Sequence, residues 1–304
     1  MPAAAKTAPA WLPAAPFLFL GFWSSGFAFA KLGLEHAGPL TCLALRFALA
    51  VVMLVPVALV LRPPWPSPTA LRHTAVVGCL IQVVYFGLSY VALAMDISAG
   101  AVALIVSLQP VLVGILAPRF AGEAVSLRRW LGLVLGLAGA ALVIIAKSAV
   151  EATSPWAVLA ALGSLAGMTA GTLYEKRHGS GLHPVTVSLI QFVIAVVVLT
   201  PLALLVEGFA FEPHPELALA IGYLVVANSF VSLTLLLAMI RHGEVSRVSA
   251  LFFLVPPMAA LIAWLMLGET MPLLAWGGMA IAILGVALAT RSELERVSPS
   301  PTRP

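Results

Sequence analysis

Residues 39–61 read PLTCLALRFALAVVMLVPVALVL, and residues 184–206 read PVTVSLIQFVIAVVVLTPLALLV. Each stretch is long and apolar enough to cross a hydrocarbon core about 30 Å thick as a helix. A shift of 145 residues, from 39 to 184, places proline on proline, threonine on threonine and phenylalanine on phenylalanine. The one charged side chain in the two stretches, Arg46, falls on Gln191. The pair indicates a duplicated membrane-spanning unit with one unmatched charge.

The composition of the whole chain agrees with a membrane location. Of its 304 residues, 62% are hydrophobic and 9% are charged, whereas soluble domains have about 25% charged residues. No soluble core can bury that much apolar surface, so much of it must face lipid. The net charge of +4 comes from basic residues in short gaps between apolar runs, so we predict no nucleic-acid partner.

Ten apolar runs of spanning length follow one another along the chain. We predict transmembrane helices at about 15–34, 39–61, 72–95, 98–117, 127–146, 155–175, 184–206, 217–240, 246–267 and 271–290. Backbone groups in lipid must bond internally, so each run should be helical. The predicted units are an N-terminal tail (1–14), a first repeat (15–147), a second repeat (155–290) and a C-terminal tail (291–304).

The basic residues of the short loops indicate the orientation, because cytoplasmic loops are enriched in Lys and Arg. One side of the predicted topology carries Lys6, Arg62, Arg72, Arg119, Arg128, Arg129, Lys176, Arg177, Arg241, Arg247, Arg291, Arg296 and Arg303. The other side carries Lys31 and Lys147. This asymmetry predicts that both termini are cytoplasmic.

The repeat extends into the second part of each unit. With a shift of 146 residues, Pro110 falls on Pro256, Trp130 on Trp276, and Gly139 on Gly285. Five helices per unit is an odd number, so the second unit begins on the opposite side of the membrane. The sequence therefore predicts an all-α polytopic membrane protein of ten transmembrane helices in two inverted five-helix repeats. Secondary transporters with such repeats bind substrate near the midplane, between the repeats.

Several short motifs occur in the order found in a known family. They are Trp23-Ser24-Ser25-Gly26-Phe27-Ala28-Phe29-Ala30-Lys31, Leu45-Arg46-Phe47, Gln109-Pro110 and Gly122-Glu123, with Pro256 and Gly268-Glu269 in the second copy. Over roughly residues 15–290 the chain resembles EamA-type transporters of the drug/metabolite transporter superfamily. The resemblance implies ten helices, an inner-membrane location and mostly export of metabolites such as amino acids. Gln191 departs from the pattern that Arg46 follows, so any role of that arginine is not symmetric.

Arg46 is the first candidate for substrate binding. A charge well inside a span costs about 2.5–3.5 kcal/mol on insertion scales, so such residues are functional candidates. One interpretation is that Arg46 faces a central cavity, where it can bind a carboxylate. The other is that it snorkels toward the surface and pairs with a loop acid such as Glu35. The sequence leaves both open.

Polar residues at helical spacing extend the candidate cavity. Residues three and four apart share a helix face, which favours a wet cavity; the alternative is hydrogen bonding between helices. The further candidates are Trp23, Ser24, Gln82, Tyr85, Ser89, Gln191, Asn228, Ser229 and Ser232. Pro110, Pro256 and Pro257 lie within predicted spans at matched positions and are candidate hinges, or else static kinks.

Two glycine-rich spans predict a close helix contact away from the substrate. Their small residues are Gly132, Gly136 and Gly139 in the fifth span and Gly278, Ala282 and Gly285 in the tenth. Small residues four apart let helices approach closely in membranes.

Other functions have weaker support. A proton-coupled multidrug or lipophilic-cation exporter is the alternative, but no Asp or Glu lies deep in any span. A membrane enzyme would need clustered acids and histidines, and the six histidines lie at 36, 73, 178, 183, 214 and 242 with no metal-binding spacing. We predict no enzyme activity, no metal and no cofactor. The expected partners are a small-molecule substrate and the lipid bilayer; a monomer and an oligomer both remain open.

Overall fold

A computed structural model describes residues 14–95, 97, 99–121, 126–147, 154–179, 181–232, 235, 239, 251–267 and 272–291. Within these ranges the chain is helical, and the pairing of Ala37 with Phe211 is an isolated β-bridge. Several sequence features fall outside the described residues. They are the two Gly-Glu pairs (Gly122-Glu123 and Gly268-Glu269), Arg241 and Arg247, most of 233–250, and the tails before 14 and after 291.

The helices follow the predicted spans in order. They are α1 (Ala15–Leu34), α2 (Pro39–Leu61), α3 (Pro68–Gly78), α4 (Phe86–Ala94), α5 (Ala99–Ser107), α6 (Gln109–Ala121), α7 (Leu127–Lys147), α8 (Pro155–His178), α9 (Pro184–Glu207), α10 (Pro215–Tyr223), α11 (Val255–Leu267) and α12 (Leu273–Arg291). Five of them, α2, α3, α8, α9 and α10, begin with proline. Proline suits a helix start because the first N–H groups have no partner inside the helix.

Among the described residues, six continuous helical stretches are long and apolar enough to cross a membrane. They are Ala15–Leu34, Pro39–Leu61, Pro68–Ala94, Pro155–His178, Pro184–Glu207 and Pro215–Ser232, with mean hydropathies from 1.4 to 2.8. Two shorter apolar helices, Ala101–Leu116 and Leu273–Ala289, lie within the predicted fourth and tenth spans. The chain is therefore a membrane protein with multiple apolar helices.

Two of those stretches contain a π-helical segment. Cys79–Tyr85 lies between α3 and α4, and Leu224–Ser232 follows α10. The two segments begin 145 residues apart, which is the shift found in the sequence. π-Helices are rare and often occur at functional sites.

Matched prolines coincide with breaks in two predicted spans. The sequence predicts one helix over 98–117, but the structure ends α5 at Ser107 and begins α6 at Gln109. Pro110 has no backbone N–H, so it cannot continue the hydrogen bonds of an α-helix. Just before it, the N–H of Leu108 bonds to Ile105 O at 3.2 Å, three residues earlier. In the second copy a 3₁₀ turn (Phe252–Leu254) precedes α11.

Equivalent helices α2 and α9 pack together in opposite directions. The carboxylate of Glu207, at the end of α9, accepts hydrogen bonds from the N–H groups of Leu40 and Thr41 at the start of α2 (2.9 and 2.8 Å). We call this end of the molecule, with loops 35–38 and 208–214, the His36 face. The opposite end, with loops 62–67 and 181–183, is the His73 face.

The predicted packing of the two glycine-rich helices is confirmed. A Cβ added at Gly132 of α7 would lie 2.5 Å from the backbone N of Ala289 in α12, and a Cβ added at Gly285 would lie even closer to the backbone N of Gly136. Only glycine permits so close an approach of two backbones. Neither helix contributes to the cavity described below.

Candidate functional site

Arg46 lies in the interior of the protein, on the eighth residue of α2. It is 2% exposed, and its guanidinium reaches the π-helix of the other half. Its Nη2 donates to Asn228 Oδ1 at 2.8 Å and to Ser229 Oγ at 3.0 Å, while Nη1 donates to Tyr90 Oη at 3.2 Å. Glu35, the loop acid considered above, is not among its hydrogen-bond partners.

The guanidinium charge is surrounded by neutral groups. Its carbon lies 4.7 Å from the ring centre of Phe86 and 5.4 Å from that of Phe47. A cation over an aromatic face gains about 0.5–2 kcal/mol, which offsets part of the cost of burial. Within the described residues, no carboxylate lies in ion-pair distance of Arg46. A buried charge without a counter-ion favours an anionic ligand.

Asn228 holds Arg46 against α1. While its Oδ1 accepts from Arg46, its Nδ2 donates to Phe22 O at 3.3 Å and to Trp23 O at 3.4 Å. Gly26 makes this possible, because a Cβ at that position would lie 2.5 Å from Asn228 Nδ2. Because residue 26 of α1 is glycine, the side-chain amide of Asn228 can link its own π-helix to both α1 and α2.

A narrow cavity lies beside Arg46, with about 20 Å³ open to the centre of a water-sized sphere. Its walls come from α1, α2, α4 and both π-helices. The lining residues are Trp23, Gly26, Phe27, Ala30, Arg46, Tyr85, Phe86, Ser89, Tyr90, Leu93, Leu224 and Asn228. The space is thus lined mainly by aromatic and aliphatic residues, with one cationic group and a few hydrogen-bonding groups. Such a lining matches a small molecule with an apolar part and an anionic part.

The structure brings together five of the candidates chosen from the sequence. Trp23, Arg46, Tyr85, Ser89 and Asn228 all line the cavity. The hydroxyl of Ser89 is also within 2.6 Å of the hydroxyl of Ser164 in α8. Ser229 is not a lining residue but accepts two hydrogen bonds from Arg46.

Gln82 and Gln191 form a separate polar contact. Nε2 of Gln82 donates to Oε1 of Gln191 at 3.1 Å. The sequence predicts that Gln82 shares a face with Tyr85 and Ser89. The π-helix changes the angle between successive residues, so α-helical spacing no longer decides which face Gln82 occupies.

The remaining candidates lie away from the cavity lining. Ser232 donates to Ala227 O five residues earlier, in keeping with the π-helix. Ser24 is 1% exposed, and its hydroxyl has no hydrogen-bond partner among the described residues. Pro110 and Pro256 each occupy the second position of a helix, α6 and α11, with Pro257 next to the latter.

Sequence reasoning missed Tyr90, Phe86 and Phe27 as cavity residues. Tyr90 follows Phe86 by four residues and so shares its helix face, a signal that was present but resembled ordinary apolar packing. The role of Glu207 was also missed, because a loop acid gives no local indication that it caps a helix 167 residues away.

Buried polar groups around an aromatic cavity, inside apolar helices, are typical of membrane transporters. Comparison with known proteins agrees. The EamA-like transporter family matches residues 14–145 and 155–291. The chain therefore belongs to this family of transporters.

Named relatives cover nearly the whole chain. It is 28% identical over 288 residues to "Uncharacterized transporter YvbV" of Bacillus subtilis, covering 91% of this chain and 90% of the relative. It is 26% identical over 271 residues to "Uncharacterized inner membrane transporter YedA" of Escherichia coli K12, covering 88% and 87%. It is 30% identical over 277 residues to the "Probable terminal-alkyne amino-acid exporter" of Streptantibioticus cattleyicolor, covering 90% and 91%.

A crystal structure shares the fold. One solved chain is 20% identical to this protein and superposes with a TM-score of 0.73. The match covers 94% of this chain and 99% of that one.

Proposed function

We propose that the protein is an inner-membrane secondary transporter that exports small metabolites carrying a carboxylate, with amino acids as the first candidates. The single observation that carries this proposal is the buried guanidinium of Arg46 at the cavity wall, surrounded by neutral partners. A substrate carboxylate would supply the missing counter-charge. A planar guanidinium can bind a carboxylate through two parallel hydrogen bonds.

The aromatic walls of the cavity indicate that the rest of the substrate is apolar. Trp23 packs edge-on to Phe252 with ring centres 5.5 Å apart, and Phe19 lies 5.7 Å from the same ring. This cluster gives the cavity a rigid apolar wall on the α1 side. An amino acid with an apolar side chain presents both kinds of group, and one relative is named as an amino-acid exporter.

Ten spans in two inverted halves are part of the proposal. The antiparallel packing of α2 and α9, the π-helices 145 residues apart and the two separate family matches support it. The excess of Lys and Arg in alternate loops supports cytoplasmic termini, which makes the His36 face the periplasmic one.

Alternating access follows from this arrangement. The His36 face is held closed by contacts between loops of different halves: Glu212 N–H bonds to His36 O at 2.8 Å, and Glu207 caps α2. Export requires these contacts to break while equivalent contacts form at the other face. Pro110 and Pro256, at the starts of α6 and α11, are the hinges we propose.

Transport into proteoliposomes tests the function directly. Purified protein should exchange labelled amino acids from a panel, measured with and without an imposed pH gradient, and empty liposomes serve as the control. Failure of every panel member to move under either condition would contradict the proposal.

The second candidate is a multidrug or lipophilic-cation exporter, which the aromatic walls of the cavity favour. Arg46 opposes it, because a fixed positive charge repels a cationic substrate. The competition experiment is efflux of a lipophilic cation in the presence of a saturating amino acid. Efflux that the amino acid does not reduce would favour this second candidate.

A further inference from the structure

Two histidines and a glutamate meet on the His36 face, away from the cavity. His36 lies in the loop between α1 and α2, whereas His214 and Glu216 lie at the start of α10. The ligating atoms of the three side chains all lie within 4.8 Å of one another. Glu216 Oε2 is 2.9 Å from His36 Nε2 and 3.6 Å from His214 Nδ1.

We propose that His36, His214 and Glu216 bind a divalent transition-metal ion such as Zn²⁺. Imidazole nitrogen and carboxylate oxygen are ligands that zinc prefers, and three protein ligands leave one position for water. Tetrahedral coordination at about 2.0–2.1 Å places ligand atoms about 3.3 Å apart. The distances from Glu216 Oε2 to His36 Nε2 (2.9 Å) and to His214 Nδ1 (3.6 Å) lie on either side of that value.

The second nitrogen of His36 supports the same assignment. Nδ1 is buried and has no hydrogen-bond partner among the residues that the structure describes. It lies 3.9 Å from Glu212 Oε2. Histidines that bind a metal through one nitrogen usually donate the other N–H to a carboxylate. A movement of about 1 Å would bring Glu212 within hydrogen-bond distance of that N–H.

Metal binding requires a modest rotation of one ring. The rings of His36 and His214 stack at 4.2 Å with an interplanar angle of 18°, so their nitrogens do not yet converge on a point. The His214 side chain is 47% exposed and makes one long bond, in which Nδ1 accepts from Glu216 N–H at 3.3 Å. If its ring turns toward an ion, a bond to the metal replaces this hydrogen bond and the stacking on His36.

The site joins the two halves of the chain. His36 belongs to the first half and His214 with Glu216 to the second, and the loops already share a backbone hydrogen bond from Glu212 to His36 O. A bound ion adds a further connection at the same place. It therefore stabilises the closed arrangement of this face.

Calorimetric titration of the full-length protein in detergent with Zn²⁺ tests the site. The wild type should bind one ion, and His36→Asn, His214→Asn and Glu216→Gln should each weaken binding more than tenfold. Asparagine keeps the helix cap of His214 while removing the imidazole. His183→Asn is the matched control, because His183 caps α9 through the same kind of bond, Val185 N–H to Nδ1 at 3.3 Å. Among the described residues, His183 belongs to no cluster of possible metal ligands.

Hydrogen exchange tests the connection between the loops. In the wild type, Zn²⁺ should slow amide exchange in peptides covering 35–38 and 208–216. In His214→Asn, Zn²⁺ should leave the exchange rates of the same peptides unchanged. Wild-type protein that binds no Zn²⁺ at micromolar concentration, or binds it as tightly after His36→Asn, would overturn the proposal. So would Zn²⁺ binding without protection of these loops. Transport is not measured, so the result is independent of the substrate proposal.

Discussion

The two polar clusters inside the protein occupy equivalent places in its two halves but differ in chemistry. Arg46 of α2 contacts the π-helix of the second half, and Gln191 of α9 contacts the π-helix of the first. The first cluster is charged and borders the cavity. The second is a neutral amide pair, packed so closely that a Cβ at Gly78 would lie 2.9 Å from Gln191 Cα.

On our proposal, this difference explains how a duplicated scaffold acquires one binding site. Among the described residues, both halves keep a helix that begins with proline, α2 or α9, and a π-helix, because those features determine the fold. On our proposal, the function resides where the repeat is broken: a guanidinium replaces an amide, and Asn228 and Ser229 replace Val83 and Val84. Changes at the first cluster should therefore affect transport, and changes at the second should affect mainly stability.

The largest effect is expected for Arg46→Gln, which gives both clusters the same side chain. Loss of a charge-assisted bond worth about 1.5–3 kcal/mol predicts a decrease in transport of about 10- to 100-fold. Transport by Arg46→Ala should fall at least as far, with membrane abundance unchanged in an immunoblot. Full transport by both variants would indicate that Arg46 has a structural role and does not bind the substrate.

Gly26→Ala should have the next largest effect, because the new methyl group displaces Asn228 from Arg46. Overpacking of this kind costs about 1–3 kcal/mol, so we expect roughly tenfold weaker transport. Gly21→Ala in the same helix is the matched control, since its added Cβ would meet no other helix among the described residues. Equal transport by the two variants would show that Asn228 does not position the arginine.

Tyr90→Phe should have a smaller effect. It removes one long hydrogen bond, which Arg46 Nη1 donates to the Tyr90 hydroxyl at 3.2 Å, and leaves the aromatic wall intact. A loss of about 0.5–1.5 kcal/mol predicts a 2- to 10-fold higher KM with little change in maximal rate. A change confined to the maximal rate would instead indicate that Tyr90 acts in the conformational step.

Gln191→Leu should have the smallest effect on transport. It leaves Gln82 without its partner, so we expect a lower thermal stability in detergent, by about 1 kcal/mol, and less than a threefold change in KM. A large rise in KM would mean that both clusters contact the substrate, and the comparison above would then fail.

Much of the fold could be predicted because the relevant signals are local. Helices α1 and α2 begin and end where the sequence predicts, since an apolar run fixes the length of each and Gly38-Pro39 marks the start of α2. The close packing of α7 on α12 could also be predicted, because glycines at four-residue spacing leave a flat surface.

The site could be predicted only in part, because its contacts are distant in sequence. Arg46 was identified from its charge alone, but its partner Ser229 is 183 residues away. The π-helices altered the spacing on which the choice of Gln82 depended. The histidine cluster could not be foreseen either: His36 and His214 belong to different halves, so no short spacing connects them, and the prediction of no metal gives way to the proposal above.

The most direct test of the account compares an amino acid with its amide as competitors for transport in proteoliposomes. If Arg46 binds the carboxylate, the wild type should prefer the acid by at least about tenfold, and Arg46→Gln should transport both weakly with little preference. An acid-to-amide preference that is the same in Arg46→Gln and in the wild type would contradict the central claim.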